Sequence, residues 1–144
     1  MIRVLKREDL TEEYFDLLEQ LSHTDFSLTV NSKLIDSIYS EYCDEKNLYI
    51  YVYDNGEKII GTASVFIEPK ILHYGSKVGH LEDLVIDEKF RKSGIGRQLI
   101  NHCICFCEEQ NCYKIILSCS DNNVKYYQQL GFKKYHNSMR KDLI

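Results

Sequence analysis

An α/β domain with a mixed, largely antiparallel sheet flanked by helices follows from three features of this 144-residue chain. Apolar residues recur at helical spacing in some segments and alternate at strand spacing in others. The turn-forming run Asp54-Asn55-Gly56 joins two of the strand-like segments. A further strand-like run, 79–86, passes through a glycine-containing loop into an amphipathic segment. The predicted order is β-α-α-β-β-β-α-β-α-β-β.

Residues 2–5 read as a short apolar strand, and in 11–21 Tyr14, Leu17, Leu18 and Leu21 share one helical face. Ser22, His23, Thr24 and Asp25 break that pattern, so 22–31 is expected to be an irregular connection. Asn31 or Ser32 then caps a second helix with Leu34, Ile35, Ile38 and Tyr42 inward. Leu48, Ile50 and Val52 alternate with Tyr49, Tyr51 and Tyr53, and 58–66 resumes the β pattern after the turn, which predicts a hairpin. The strand at 79–86 ends in Asp87, Glu88 and Lys89, and 91–96 opens a helix carrying Leu99, Ile100, Cys103, Ile104 and Cys107 inward. Residues 114–119 read as a buried strand, 122–130 as a short helix stopped by Gly131, and 133–135 and 138–143 as two last strands. With one proline, no repeat and no low-complexity segment, a single domain over 1–144 is expected.

A hydrophobic fraction of 44% supports a packed core without disulfides or metals. The formal charge of -4 and pI near 5.7 argue against nucleic acid or an anionic membrane surface as partners, so any bound anion needs a local site. No apolar run approaches the ~20 residues of a membrane span. Met1, Ile2, Arg3, Val4 and Leu5 do not lead into the apolar run of a secretory signal, so the six cysteines are expected to be reduced and the address cytoplasmic. Cys103 and Cys107 would share a helix face while Cys105 points elsewhere, and no C-x-x-C pair occurs; buried thiols, and no metal, are predicted.

In the run Arg91, Lys92, Ser93, Gly94, Ile95, Gly96 and Arg97, glycines let backbone N–H groups approach a phosphate, and the helix that follows adds its positive dipole end. The run is neither a Walker loop nor a G-x-G-x-x-G fingerprint. Alone it fits a diphosphate cradle or a plain connection with solvated basic residues. It resembles the R/Q-x-x-G-x-G/A loop with which GNAT acetyltransferases hold the coenzyme A pyrophosphate. Three blocks are similar, more closely, to the glucosamine 6-phosphate N-acetyltransferases of that superfamily: Gly79-His80-Leu81-Glu82-Asp83-Leu84-Val85-Ile86, Asn111-Cys112-Tyr113-Lys114-Ile115-Ile116-Leu117, and Asn123-Val124-Lys125-Tyr126-Tyr127-Gln128-Gln129-Leu130-Gly131-Phe132. The likeness runs from about Leu17 to the C-terminus.

Acetyl transfer to an amine requires an unprotonated nucleophile, a polarised thioester carbonyl and a stabilised thiolate. The resemblance implies a GNAT fold, acetyl-CoA as co-substrate, and coenzyme contacts from residues 91–97, Asn123 and Tyr127. Asn123 equally fits a helix-start role. The main chain of Leu84, Val85 and Ile86 would pair with the pantetheine arm, with an N–H freed by a splayed or bulged strand polarising the thioester. Glu82 would bind the substrate amine and assist its deprotonation directly or through water, Asp83 would orient the sugar or neighbouring groups, and Tyr127 would act on the leaving sulfur. As neighbours on a strand, Glu82 and Asp83 are expected on opposite faces. Lys70, His73, Thr24 and Arg140 are implied at the sugar phosphate, with Lys141 an alternative to Arg140. Ser118 stands where the family often has an acid, and cannot carry its charge. The resemblance further implies a homodimer whose partner chain helps build the sugar site, and a product used for UDP-N-acetylglucosamine. Another small amine, a protein amine, or a non-catalytic acyl-CoA-binding module are the alternatives.

Overall fold

The computed structural model describes residues 1–22 and 31–143. Five strands, β1 (Ile2–Val4), β2 (Leu48–Asp54), β3 (Ile59–Pro69), β4 (Lys77–Ile86) and β5 (Cys112–Ile116), lie in the sheet in chain order. The first four pair antiparallel and β5 joins β4 in parallel, so the predicted mixed, largely antiparallel sheet is present. Helices α1 (Glu12–Ser22) and α2 (Ser32–Asp44) precede β2. The turn α3 (Leu72–Gly75) joins β3 to β4, with His73 and Tyr74 at φ of 52° and 58°. Helix α4 (Ile95–Glu109) is the parallel crossover, and α5 (Val124–Gln128) follows β5.

Each face of the sheet has its own core. On the α4 side, Ala63, Val65, Ile67 and Leu81 meet Leu99, Ile100, Cys103 and Cys107. Cys105 is exposed, as its helical position requires, and burial pushes the Cys103 and Cys107 thiols up to about 12. The alternation in β2 is filled on both sides. Tyr51 packs under α4 against His102 and Phe106, with ring centroids 4.5 and 5.6 Å away. Val52 joins Leu5, Leu10, Tyr14 and Phe15 under α1.

The Asn31 side chain caps α2, accepting from the Leu34 N–H at 3.0 Å. Of the face expected inward, Ile35 and Tyr42 pack on the second core, whereas Leu34 and Ile38 stay 42% and 40% exposed. Arg3 clamps the first elements together through two 2.7 Å bonds to Asp9 and one of 3.0 Å to Asp54. The strands expected at 133–135 and 138–143 are not formed. The segment is exposed and pairs with no strand among the described residues, and β propensity without a neighbouring ladder leaves backbone groups to water. Strand β5 likewise begins and ends two or three residues before the predicted 114–119.

Candidate active site

The centre of the site is an irregularity in β4. Thr62 pairs with Val85 and Ser64 with Glu82, so two steps along β3 face three along β4: a bulge at Asp83 and Leu84. Asp83 takes φ of 50°, a left-handed conformation that aspartate tolerates better than most residues. Leu81 and Leu84 both pack into the α4-side core, although strict alternation would separate them. Ser64 and Thr62, the partners of Glu82 and Val85, line a cavity beneath α1 and α2, and Asp83 lines it too. The expected opposite-face arrangement is thus corrected: the bulge turns both carboxylates toward α1 and α2. Tyr14 pins α1 beside it. The Thr62 hydroxyl donates to the Tyr51 carbonyl at 3.0 Å, so the Tyr14 hydroxyl donates to Thr62, 3.2 Å away.

On its other edge β4 extends beyond β5. The parallel ladder ends at His80 and Ile116, and from Leu81 to Ile86 the edge facing β5 pairs with no described strand. Backbone N–H and C=O groups on that edge are open to a ligand. Leu84, Ile86, Leu117, Tyr126 and Tyr127 rest half-buried against the α4-side core. Burial raises the Tyr127 phenol to about 12, so it remains a proton donor throughout the neutral range. Its ring packs on Phe132 at 5.7 Å, and its hydroxyl makes no hydrogen bond to a described residue.

The loop beyond β4 ends at Gly94, whose φ of 86° suits glycine and starts α4 without a side-chain cap. The first N–H groups of α4 therefore point outward unpaired by the helix itself. Two side chains of the loop are committed internally. Arg91 Nε donates to the Ile86 carbonyl at 3.1 Å, and the Ser93 hydroxyl donates to the Phe90 carbonyl. Lys92 and Arg97 are exposed and make no ion pair with a described residue, and Ile95 is buried in the core, leaving only its main chain for a ligand.

A bulged strand, a parallel neighbour that ends partway along it and an anion-ready helix start together suit an extended acyl carrier ending in phosphates. The family model described as "Acetyltransferase (GNAT) family" matches residues 8–132. The chain belongs to the GNAT acetyltransferase family. It is 32% identical to a glucosamine 6-phosphate N-acetyltransferase of Trypanosoma brucei brucei, the alignment covering 99% of this chain and 95% of that one. The crystal structure of glucosamine-6-phosphate N-acetyltransferase from Arabidopsis thaliana superposes with a TM-score of 0.89 at 31% identity, covering 100% and 98% of the two chains. A predicted acetyltransferase from Clostridium acetobutylicum, solved with acetyl-CoA, shares the fold with a TM-score of 0.74 at 15% identity, covering 99% and 96%.

Within this acetyltransferase domain, Glu82, Asp83 and the 84–86 edge lie on β4, the glycine loop follows that strand, and Tyr127 packs on the same core as Leu84 and Ile86. Asn123 stands at the N-cap position of α5, exposed and without a side-chain capping bond. Of the described residues implied at the sugar phosphate, Lys70 and His73 lie past the end of β3, away from Glu82. Lys70 is ion-paired to Glu68, which also binds His80 Nε2 at 2.8 Å, and it lies six residues beyond the Glu82 partner Ser64, about 20 Å of strand. His73 stacks on Tyr113 with centroids 4.6 Å apart. Arg140 is exposed and paired with Asp142 at 2.5 Å, and the Ser118 hydroxyl meets Ser138 in the same tail at 3.4 Å. Thr24 lies outside the described residues. Sequence reasoning passed over Gln20, which joins α1 to the loop by accepting from the Glu88 N–H at 2.9 Å. It also passed over His80, although alternation from Glu82 would have placed it on the same face.

Proposed function

We propose that this enzyme transfers the acetyl group of acetyl-CoA to the amine of glucosamine 6-phosphate, giving N-acetylglucosamine 6-phosphate and coenzyme A. The observation that carries the reading is the junction of the β4 bulge, with Glu82 and Asp83 on one side, and the open edge toward β5, with Tyr127 on the other. Bound acetyl-CoA would supply an activated acetyl thioester. The unpaired edge at 84–86 offers N–H donors to a carbonyl oxygen beside it, while Lys92, Arg97 and the start of α4 receive the diphosphate. Glu82 holds the amine and takes its proton directly or through water, and Asp83 orients the sugar. As the C–N bond forms and the C–S bond breaks, the Tyr127 phenol gives its proton to the departing sulfur. Ser118 carries no charge for this chemistry, so Glu82 has the basic role.

We further propose a homodimer whose partner supplies the phosphate-binding cations, because Lys70 and His73 follow the end of β3 remote from the Ser64–Glu82 pair. The exposed side chains of Ile71, Leu72 and Tyr74 flank His73, which packs on Tyr113 of β5, and support a contact there. Mixing a Glu82→Gln chain with a Lys70→Ala chain should restore activity to the hybrid, while a light-scattering mass of one 17.0 kDa chain with full activity would remove the dimer.

The test of the reaction is thiol release from acetyl-CoA with glucosamine 6-phosphate, glucosamine and a peptide panel. Turnover should depend on the 6-phosphate. Preference for another amine would reassign the acceptor, and coenzyme binding without turnover on any acceptor would make the domain a binding module.

A further inference from the structure

Helix α5 presents two consecutive tyrosines whose rings meet edge to face at 5.4 Å. Tyr127 turns toward Phe132, while Tyr126 reaches across to the first turn of α4. A Cβ built on Gly96 would lie 2.8 Å from the Tyr126 hydroxyl oxygen, 3.6 Å from Ile86 Cγ1 and 3.9 Å from Tyr126 Cζ. The phenol tip therefore occupies the space a side chain at position 96 would fill. It stands at the point where the unpaired edge of β4 ends and the uncapped N–H groups of α4 begin.

The phenol makes no hydrogen bond to a described residue, although its ring is half-buried against the core. A partly buried tyrosine normally finds a partner for its hydroxyl. Burial raises its pKa, with the neighbouring positive charge of Arg97 acting in the opposite direction, so it stands beside that cation as a neutral donor. Every other group at this spot also favours an acceptor: outward N–H groups, a helix dipole end and Arg97. A diphosphate oxygen has acceptor capacity only, and a phenol donor completes such a set.

We propose that the Tyr126 hydroxyl donates a hydrogen bond to the coenzyme diphosphate where it meets the pantetheine arm, and that position 96 is glycine to leave room for that phenol. The two tyrosines then divide the coenzyme between them, Tyr127 at the sulfur and Tyr126 at the phosphates. This inference rests on the coenzyme-binding reading above.

The experiment is calorimetric titration of coenzyme A, and of pantetheine lacking the diphosphate, into wild type, Tyr126→Phe, Gly96→Ala and the double variant, with folding checked by circular dichroism. Tyr126→Phe should raise the coenzyme A Kd by about five- to tenfold, the loss of one donor, without changing pantetheine binding. Gly96→Ala should displace the phenol and weaken coenzyme A by at least as much. The double variant should fall well short of the product of the two losses, because both remove one contact. Wild-type coenzyme affinity in Tyr126→Phe, or an equal loss for pantetheine, would overturn the inference while leaving the coenzyme site intact. Absence of coenzyme A binding by the wild type would instead remove the reading on which it rests. If Gly96→Ala does not fold, Tyr126→Phe with the two ligands still decides the question.

Discussion

The two edges of β4 behave differently. Toward β3 the ladder runs from Lys77 to Ile86 and absorbs the bulge without parting, with Tyr14 and Thr62 tying α1 beside it. Toward β5 the ladder stops at His80, and the remaining edge carries no strand among the described residues. A sheet stabilises a domain by satisfying its backbone groups and serves a ligand by leaving some unsatisfied. In β4 one edge is closed along its length and the other is left open beyond His80.

The largest effect expected from disturbing the open side is at Tyr127. Tyr127→Phe keeps the ring on Phe132 and removes the proton donor, so single-turnover acetyl transfer should slow by roughly tens to a few hundredfold, or ~2 to 3 kcal/mol. A wild-type single-turnover rate in the folded variant would return this tyrosine to a packing role. Gly94→Asp should come next. It places a carboxylate at the cradle and a side chain at φ of 86°, and coenzyme affinity should drop by about tenfold or more. Calorimetry showing unchanged affinity would detach the loop from the coenzyme.

Changes on the closed side should register in stability instead. Tyr14→Phe removes the bond to Thr62 and should lower unfolding free energy by about 1 kcal/mol in urea, with coenzyme affinity unaltered. A loss of affinity as large as that of Gly94→Asp would mean that the two edges are not independent. The smallest effect is acid sensitivity. Burial alone would raise Asp9, but the hydrogen bonds from Arg3 and the Lys6 N–H prevail and hold it below its ordinary 3.8. Asp87 is likewise held down against burial by the Lys89 N–H and Lys58. Because the folded chain binds these protons less readily than the unfolded one, their contribution is present above the ordinary value and fades as pH falls through the lower folded values. Thermal melts should therefore be flat near neutrality and decline in that acid range, and Asp9→Asn should flatten part of the decline.

Residues whose roles follow from local chemistry were legible in advance. A cap at Asn31 or Ser32, the glycine-containing run 91–96 opening a helix, and Leu99, Ile100, Cys103 and Cys107 as an inward stripe each depend on neighbours within about a turn of chain. The tail misled because 133–135 and 138–143 have strand-like composition, whereas a strand also needs a partner edge, which composition does not supply.

By itself the sequence determined the order of elements as far as the short helix after β5, the mixed, largely antiparallel sheet and the glycine-containing loop that opens α4, since periodicity, turn residues and caps act over short distances. Only the tertiary structure decided that β4 bulges at Asp83, that Glu82 and Asp83 therefore share a face, and that Tyr126 reaches Gly96. Each depends on the register of strands or the approach of helices far apart in the chain. A one-residue change of register reverses every side chain beyond it, and a single alternating segment does not contain that information.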